Sequence, residues 1–302
     1  MNTRSITVTL LVFLIVISGC NPYKQDNYKQ QYVVESYLVE GTTLPPLALS
    51  TTTPVDQKYS ISDAGVGNAD VQIQLLDDAG NVQKRYDYFM YAKGLYLPKN
   101  NTDTVKSLRK YHLRVVIPDS RDTLEATAIV PKAFHFINNP PDSVIYQSGD
   151  GISLDMTQSY YPGRQTEYIA SAVAEGELDS LRLTPFYSDV YSRSNDNQLS
   201  DYQINNSNII NEGNFTVKSD GTINIQYPWI GIAYYGENSL VINAIDDNVY
   251  DFVRSQSVQT GGNTLPPGQI QNAIMHVKGG IGVFGAMATD TVRVYIKRNP
   301  NL

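Results

Sequence analysis

Ala69-Asp70-Val71-Gln72-Ile73-Gln74-Leu75-Leu76 alternates apolar and polar side chains with a period of two. Successive side chains of a strand point to opposite faces, so Val71, Ile73 and Leu75 share one face while Gln72 and Gln74 take the other. Asp77-Asp78-Ala79-Gly80-Asn81 closes the run with turn-forming residues, and 82–91 returns as its hairpin partner. The same pattern recurs on both sides. Tyr32 to Glu40 and Leu47 to Thr53 read as strands separated by Pro45-Pro46, and Gly94 to Leu97, Tyr111 to Ile117 and Thr123 to Val130 complete the set. Seven short strands in about one hundred residues, each closed by Gly, Pro, Asn or Asp, predict a β-sandwich over 31–132.

Pro131 to Pro141 (PKAFHFINNPP) is the expected boundary, with Pro-Pro as stiff punctuation. A second β-rich domain is expected over 133–302. Ser143 to Tyr146, Ile152 to Met156, Glu167 to Ala174, Phe215 to Lys218, Ile223 to Tyr227, Ser239 to Ala244 and Thr291 to Lys297 are strand-like. Ser188 to Asn211 is polar and reads as a long loop. One helix is predicted near 247–258, with Asp246 as its N-cap and Val249, Phe252 and Val253 on one face. The fold class is therefore mainly β: an N-terminal sandwich, then a β-rich domain carrying one short helix.

The 302 residues are 41% apolar and 18% charged, enough for a packed core, and carry a formal charge of −7. That sign argues against nucleic acid as a partner, since such binders present clustered bases. One Cys and three His exclude a disulfide scaffold, a Cys/His zinc site and an Fe–S cluster. Met1 to Cys20 has Arg4, then an uncharged stretch from Ile6 to Ile17, too short to span a bilayer comfortably. Ile17-Ser18-Gly19-Cys20 resembles the lipobox of bacterial lipoproteins. That resemblance implies a signal peptide over 1–19, acylation of Cys20, and a lipidated tether over 20–30. Several buried acyl chains, at about 0.8 kcal/mol per CH₂, would hold the protein on a membrane.

Gly280-Ile281-Gly282-Val283-Phe284-Gly285 fits G-x-G-x-x-G formally, but a dinucleotide site needs a following helix and an acidic residue about 20 positions on. Only Ala286 to Thr289 separate Gly285 from a strand-like run, so the expected role is structural: close backbone approach around a buried Phe284. No cofactor and no catalytic residue is assigned. His112, His135 and His276 are scattered, and Asp77-Asp78 and Asp246-Asp247 sit where caps and turns explain them. Asp189, Asp196 and Asp201 offer a weak calcium pattern. Tyrosine is the distinctive residue, at 22 copies. Tyr86, Tyr88 and Tyr91 crowd one segment; Tyr160, Tyr161, Tyr187, Tyr191, Tyr234 and Tyr235 crowd others. These are candidate contacts for a protein or carbohydrate, against the plain alternative that Tyr suits strands. Asp103-Thr104-Val105, Asp122-Thr123-Leu124, Asp142-Ser143-Val144, Asp179-Ser180-Leu181 and Asp290-Thr291-Val292 resemble the acceptor tripeptide of Bacteroidota protein O-glycosylation.

The run Gly94-Leu95-Tyr96-Leu97 followed by Tyr111-His112-Leu113-Arg114-Val115 is similar to transthyretin-like and carboxypeptidase-regulatory-like sandwiches. Four features taken in order carry a wider resemblance. They are Cys20, the strand Tyr32 to Leu38, the acidic helix start Asp246 to Phe252, and the tail Gly279-Gly280-Ile281-Gly282-Val283-Phe284-Gly285-Ala286. Together they resemble the Bacteroidota lipoprotein family known as domain of unknown function 4249, over nearly the whole mature chain. Where that family has V-V-E-G, this chain has Val34-Glu35-Ser36. The resemblance implies an outer-membrane lipoprotein with a TonB-dependent β-barrel receptor as partner, and the expected role is that of an accessory or ligand-capturing subunit of that transporter. The membrane leaflet it faces is left open. A stand-alone glycan- or peptide-binding adhesion lipoprotein is the alternative, and a hydrolase the third reading.

Overall fold

The computed structural model describes residues 28–54, 56–118, 120–138, 140–149, 151–260 and 273–302; Cys20 and the signal-like segment lie outside them. The first half supplies β1 (Tyr32–Val39), β2 (Leu47–Thr51), a single helical turn α1 (Ile61–Ala64), β3 (Asp70–Leu76), β4 (Val82–Ala92), β5 (Leu95–Pro98), β6 (Lys110–Val116) and β7 (Thr123–Ile129). The second half supplies β8 (Ser143–Ile145), β9 (Ile152–Met156), β10 (Glu167–Ala174), α2 (Pro185–Ser192), β11 (Ile204–Asn206), β12 (Ile210–Asn211), β13 (Thr216–Val217), β14 (Ile223–Tyr227), β15 (Gly236–Ile245), α3 (Asp247–Thr260) and β16 (Ile281–Lys297). The protein is mainly β, with a β-sandwich-like build.

Among the described residues thirteen strands form one sheet, ordered β11-β10-β15-β16-β1-β2-β5-β4-β3-β6-β7, with β12 added to β10 and β8 to β16. The β3–β4 hairpin forms as the alternation predicts, and Asp77 fastens its turn by accepting from Asn81 N at 2.7 Å. The N-terminal sheet curls until Glu125 of β7 exchanges backbone bonds with Lys278, at 3.0 and 2.8 Å, just before β16 begins. This closes a layer around Val34, Leu38, Leu49, Ile73, Tyr96, Tyr111, Leu113 and Leu124. The second half packs a smaller sheet, β13-β14-β9, over β10, β15 and β16. Leu154, Tyr168, Ile225, Tyr227, Leu240 and Ile242 fill the space between.

β16 joins the two. It runs parallel to β1 from Val33↔Ile281 to Val39↔Met287, and antiparallel to β15 from Ile245↔Met287 to Gly236↔Ile296. Its Phe284 and Ala286 lie in the first core and its Ala288, Val292, Val294 and Ile296 in the second. Alternation of side chains along one strand thus serves two cores in succession. The sequence expectation placed this strand at 291–297; it begins ten residues earlier, inside the glycine-rich tail.

One further expectation is corrected. Ser188 to Asn211 is not an unstructured loop: it holds the end of α2, a 3₁₀ turn at Leu199–Tyr202, β11 and β12. Leu199 and Tyr202 pack against the buried Leu183, Ala233 and Tyr234, an anchorage that a polar composition conceals. Of the tether expected over 20–30, residues 20–27 lie outside the described residues; at Tyr28 the hydroxyl meets Thr52 Oγ1 at 2.8 Å and also donates to Thr52 O. Ser36, where the resembling family has Gly, continues β1 without a break, and its hydroxyl donates to Pro46 O at 2.9 Å.

Candidate functional site

The glycine motif is structural. Gly282 has φ near +112°, and a Cβ there would lie 2.0 Å from Val34 O. A Cβ on Gly280 would meet Leu124 Cδ2 at 2.4 Å, and one on Gly279, at φ near +80°, would meet Thr123 O at 2.2 Å. Gly285 faces Val249 of α3, with 2.4 Å left for a Cβ. Phe284 is buried among them. These residues let β1, β7 and α3 approach β16 on all sides. The predicted N-cap is formed: Asp246 Oδ1 accepts from Val249 N at 2.9 Å. Asp246 is 1% exposed, and burial pushes its carboxyl up to about 7, against the pull of the Val249 and Ala286 backbone bonds. Beside it, Arg164 Nε donates to Asp247 Oδ1 at 2.6 Å and the guanidinium stacks on Tyr161.

The tyrosine candidates divide. Tyr91 and Tyr160 are exposed, at 66% and 53%, but Tyr86, Tyr88, Tyr161, Tyr234 and Tyr235 are buried and belong to the interior. A buried phenol needs a partner for its hydroxyl. Tyr88 donates to Pro45 O at 2.9 Å, Tyr234 to Leu199 O at 2.6 Å and Tyr161 to Asp247 Oδ2 at 3.2 Å. Burial raises the Tyr88 and Tyr161 phenols far above their ordinary value. Tyr187 and Tyr191 are half-buried and stack edge-on with Tyr202.

The three histidines have separate partners: His112 meets Thr127 Oγ1, His135 faces Asp290 at 3.9 Å, and His276 meets Asp251 Oδ2 at 2.7 Å. Ser255, one turn along α3 from Asp251, directs its hydroxyl back to Asp251 O at 2.6 Å. Asp189 pairs with Arg193 and Asp201 caps Gln198 N. Among the described residues no group of three or more His, Cys, Asp or Glu is placed to hold a metal ion.

What the structure adds is a cleft of about 640 Å³ at the open edge of the second sandwich. One wall is β11 with the following Ser207 and Asn208; the other is β14 with Pro228 and Ile230. Tyr187, Phe215 and Tyr227 supply its aromatic surface; Asn205, Asn208 and Asn214 line it as amides, and Asn206, Asn224 and Gln226 border it with their amides on the outer faces of their strands, beside Ser171 and Ser153. None of its lining residues is charged, in a chain that is 18% charged. The walls are braced from behind. Asn205 Nδ2 donates to Gly231 O at 3.0 Å and also to the Tyr187 hydroxyl. Glu212 Oε2 accepts from Thr166 N at 3.0 Å, fixing the turn that carries Asn214 and Phe215. Of the tyrosine candidates, Tyr187 alone lines this cleft. The signal available in the sequence is the Asn-dense run Asn205 to Asn211, inside the polar stretch read as a loop.

No curated protein matches the sequence. Solved structures share low similarity with it. Salmonella alpha-2-macroglobulin reacted with methylamine is 10% identical, with 89% of this chain and 15% of that chain covered and a TM-score of 0.24. A tetra-tandem repeat from the extending region of a large adhesion protein gives 11%, 88%, 49% and 0.22. Three N-terminal domains of the bacteriophage RB49 Highly Immunogenic Outer Capsid protein give 10%, 89%, 71% and 0.24. The chain therefore spans about 15% of the length of the macroglobulin it matches. A family signature matches residues 21–293, from just after Cys20 into β16, and by it the chain belongs to the family described as Domain of unknown function (DUF4249).

Proposed function

We propose that this protein is a lipid-anchored, ligand-capturing lipoprotein of the outer membrane that serves a TonB-dependent transporter. The observation that carries the capture role is the uncharged cleft between β11 and β14. Its volume falls within the range of about 300–1,000 Å³ usual for small-molecule sites, and its lining combines amide and aromatic residues. The lipobox-like Ile17-Ser18-Gly19-Cys20 supports the anchor, and the family resemblance supports the transporter. An acyl anchor confines the protein to the plane of the barrel and raises its effective concentration there.

Mild cross-linking of the native protein in outer membranes, followed by mass spectrometry of the recovered partners, tests this reading. Recovery of a near-stoichiometric TonB-dependent barrel is expected. Recovery of the lipoprotein alone, with a control cross-link working, would leave the stand-alone binder. Palmitate labelling is expected for the native chain and not for Cys20→Ser; labelling of both would remove the anchor.

A further inference from the structure

We infer that the ligand of the cleft is a short, neutral saccharide; this rests on the capture reading and names the chemistry of what is captured. An Asn or Gln amide offers two N–H donors and a carbonyl acceptor without net charge. A sugar hydroxyl is likewise donor and acceptor at once, so amide-lined walls answer hydroxyl arrays of either polarity. Asn205 is held at one end only: its Nδ2 donates to Gly231 O at 3.0 Å and to the Tyr187 hydroxyl, which orients its carbonyl. Groups fixed in this way lose little freedom when a ligand arrives. Phe215 and Tyr187 are half-buried and add the flat apolar surface that a pyranose C–H face covers.

The two other ligand classes fit less well. A charged ligand would leave water for a lining that holds no opposite charge. An extended peptide would need a free strand edge. Lys218 N donates to Thr222 O at 2.8 Å and Thr216 opposes Asn224, so the backbone groups of 222, 224 and 226 turn toward β13. Only Gln226 lies beyond the end of β13, and Pro228, next in the alternation, has no N–H to give. Strand addition to β14 would end after one residue, and the three-residue β11 turns only Ile204 and Asn206 to its outer edge.

The test is saturation-transfer NMR and calorimetry on the full chain in detergent micelles. The probes are a panel of neutral disaccharides and trisaccharides, an oligogalacturonate, and capped neutral tripeptides. Binding of at least one neutral saccharide is expected, with affinity falling at least tenfold in Asn208→Ala and in Asn214→Ala. Both side chains are exposed, so both variants should keep the native melting temperature. Saccharide binding that survives both variants would place the sugar elsewhere and overturn the inference. Binding of the tripeptides or the oligogalacturonate without any neutral sugar would overturn the saccharide class and leave capture standing. Binding of no probe would sink both.

Discussion

Gly282 shows how one residue can be dictated by its neighbours. Its positive φ and the 2.0 Å separation of a Cβ from Val34 O leave no room for any side chain. Gly282→Ala is expected to lower stability by about 3 kcal/mol or to prevent folding, whereas Gly80→Ala, at an open turn with φ near +87°, should cost about 1 kcal/mol. Urea unfolding of the two variants checks this; equal costs would refute it. Asp246 carries a pH signature. Its native pKa of about 7 lies above the value of about 3.9 in an unfolded chain, so between those limits the native state keeps a proton that the unfolded state has released. The stability it contributes is complete below about pH 4 and is lost as the pH rises to about 7. Asp246→Asn retains an acceptor for Val249 N and should flatten that slope, read as urea midpoints compared at about pH 5 and about pH 7.5. The N-cap and the tail glycines were legible because cap and turn chemistry is local. Burial of Tyr88 and Tyr234 was not, because it depends on remote carbonyls, Pro45 O and Leu199 O, that receive their hydroxyls.

At the scale of elements, β9 and β10 occupy the residues their alternation predicts, and β3 differs only by the exclusion of Ala69. The first ten residues of β16 escaped because small residues and glycines read as turns. In the structure they are the thin part of a strand covered on one face by the first core and on the other by α3. The Ser188–Asn211 excursion escaped for the opposite reason: its anchorage rests on a few residues, Leu199 and Tyr202 among them, scattered through a polar run. Asn248 links three elements, its Nδ2 donating to Thr127 O at 2.8 Å and Phe284 O at 2.7 Å. Asn248→Ala would strand both carbonyls and is expected to cost about 1–3 kcal/mol. Thermal melts of the variant beside Asn301→Ala, on the exposed terminus, give the comparison.

For the whole molecule, the sequence separated two β-rich halves at 131–141 but could not show what joins them. Parallel pairing of β1 with β16 brings together residues some 250 positions apart, and no local pattern encodes it. Because β16 places Phe284 and Ala286 in the first core, a fragment comprising 31–132 lacks part of its interior and the partner of β1. That fragment is expected to give poorly dispersed NMR spectra, while the full chain unfolds in one calorimetric transition; a well-folded fragment would refute this. The same strand explains why the cleft can be rigid: β10, which forms its floor, is paired to β15, and β15 to β16 along ten residue pairs.

The parallel ladder between β1 and β16 also has a mechanical meaning. Tension applied at the start of β1 and resisted by the second half would pull the two strands along their own axes in opposite directions. Seven residue pairs would then share the force at once instead of parting one after another as in a peeled hairpin. Pulled from its N-terminal end against its distal half, the molecule is a clasp loaded in shear, and should rupture at much higher force than when pulled across its strands.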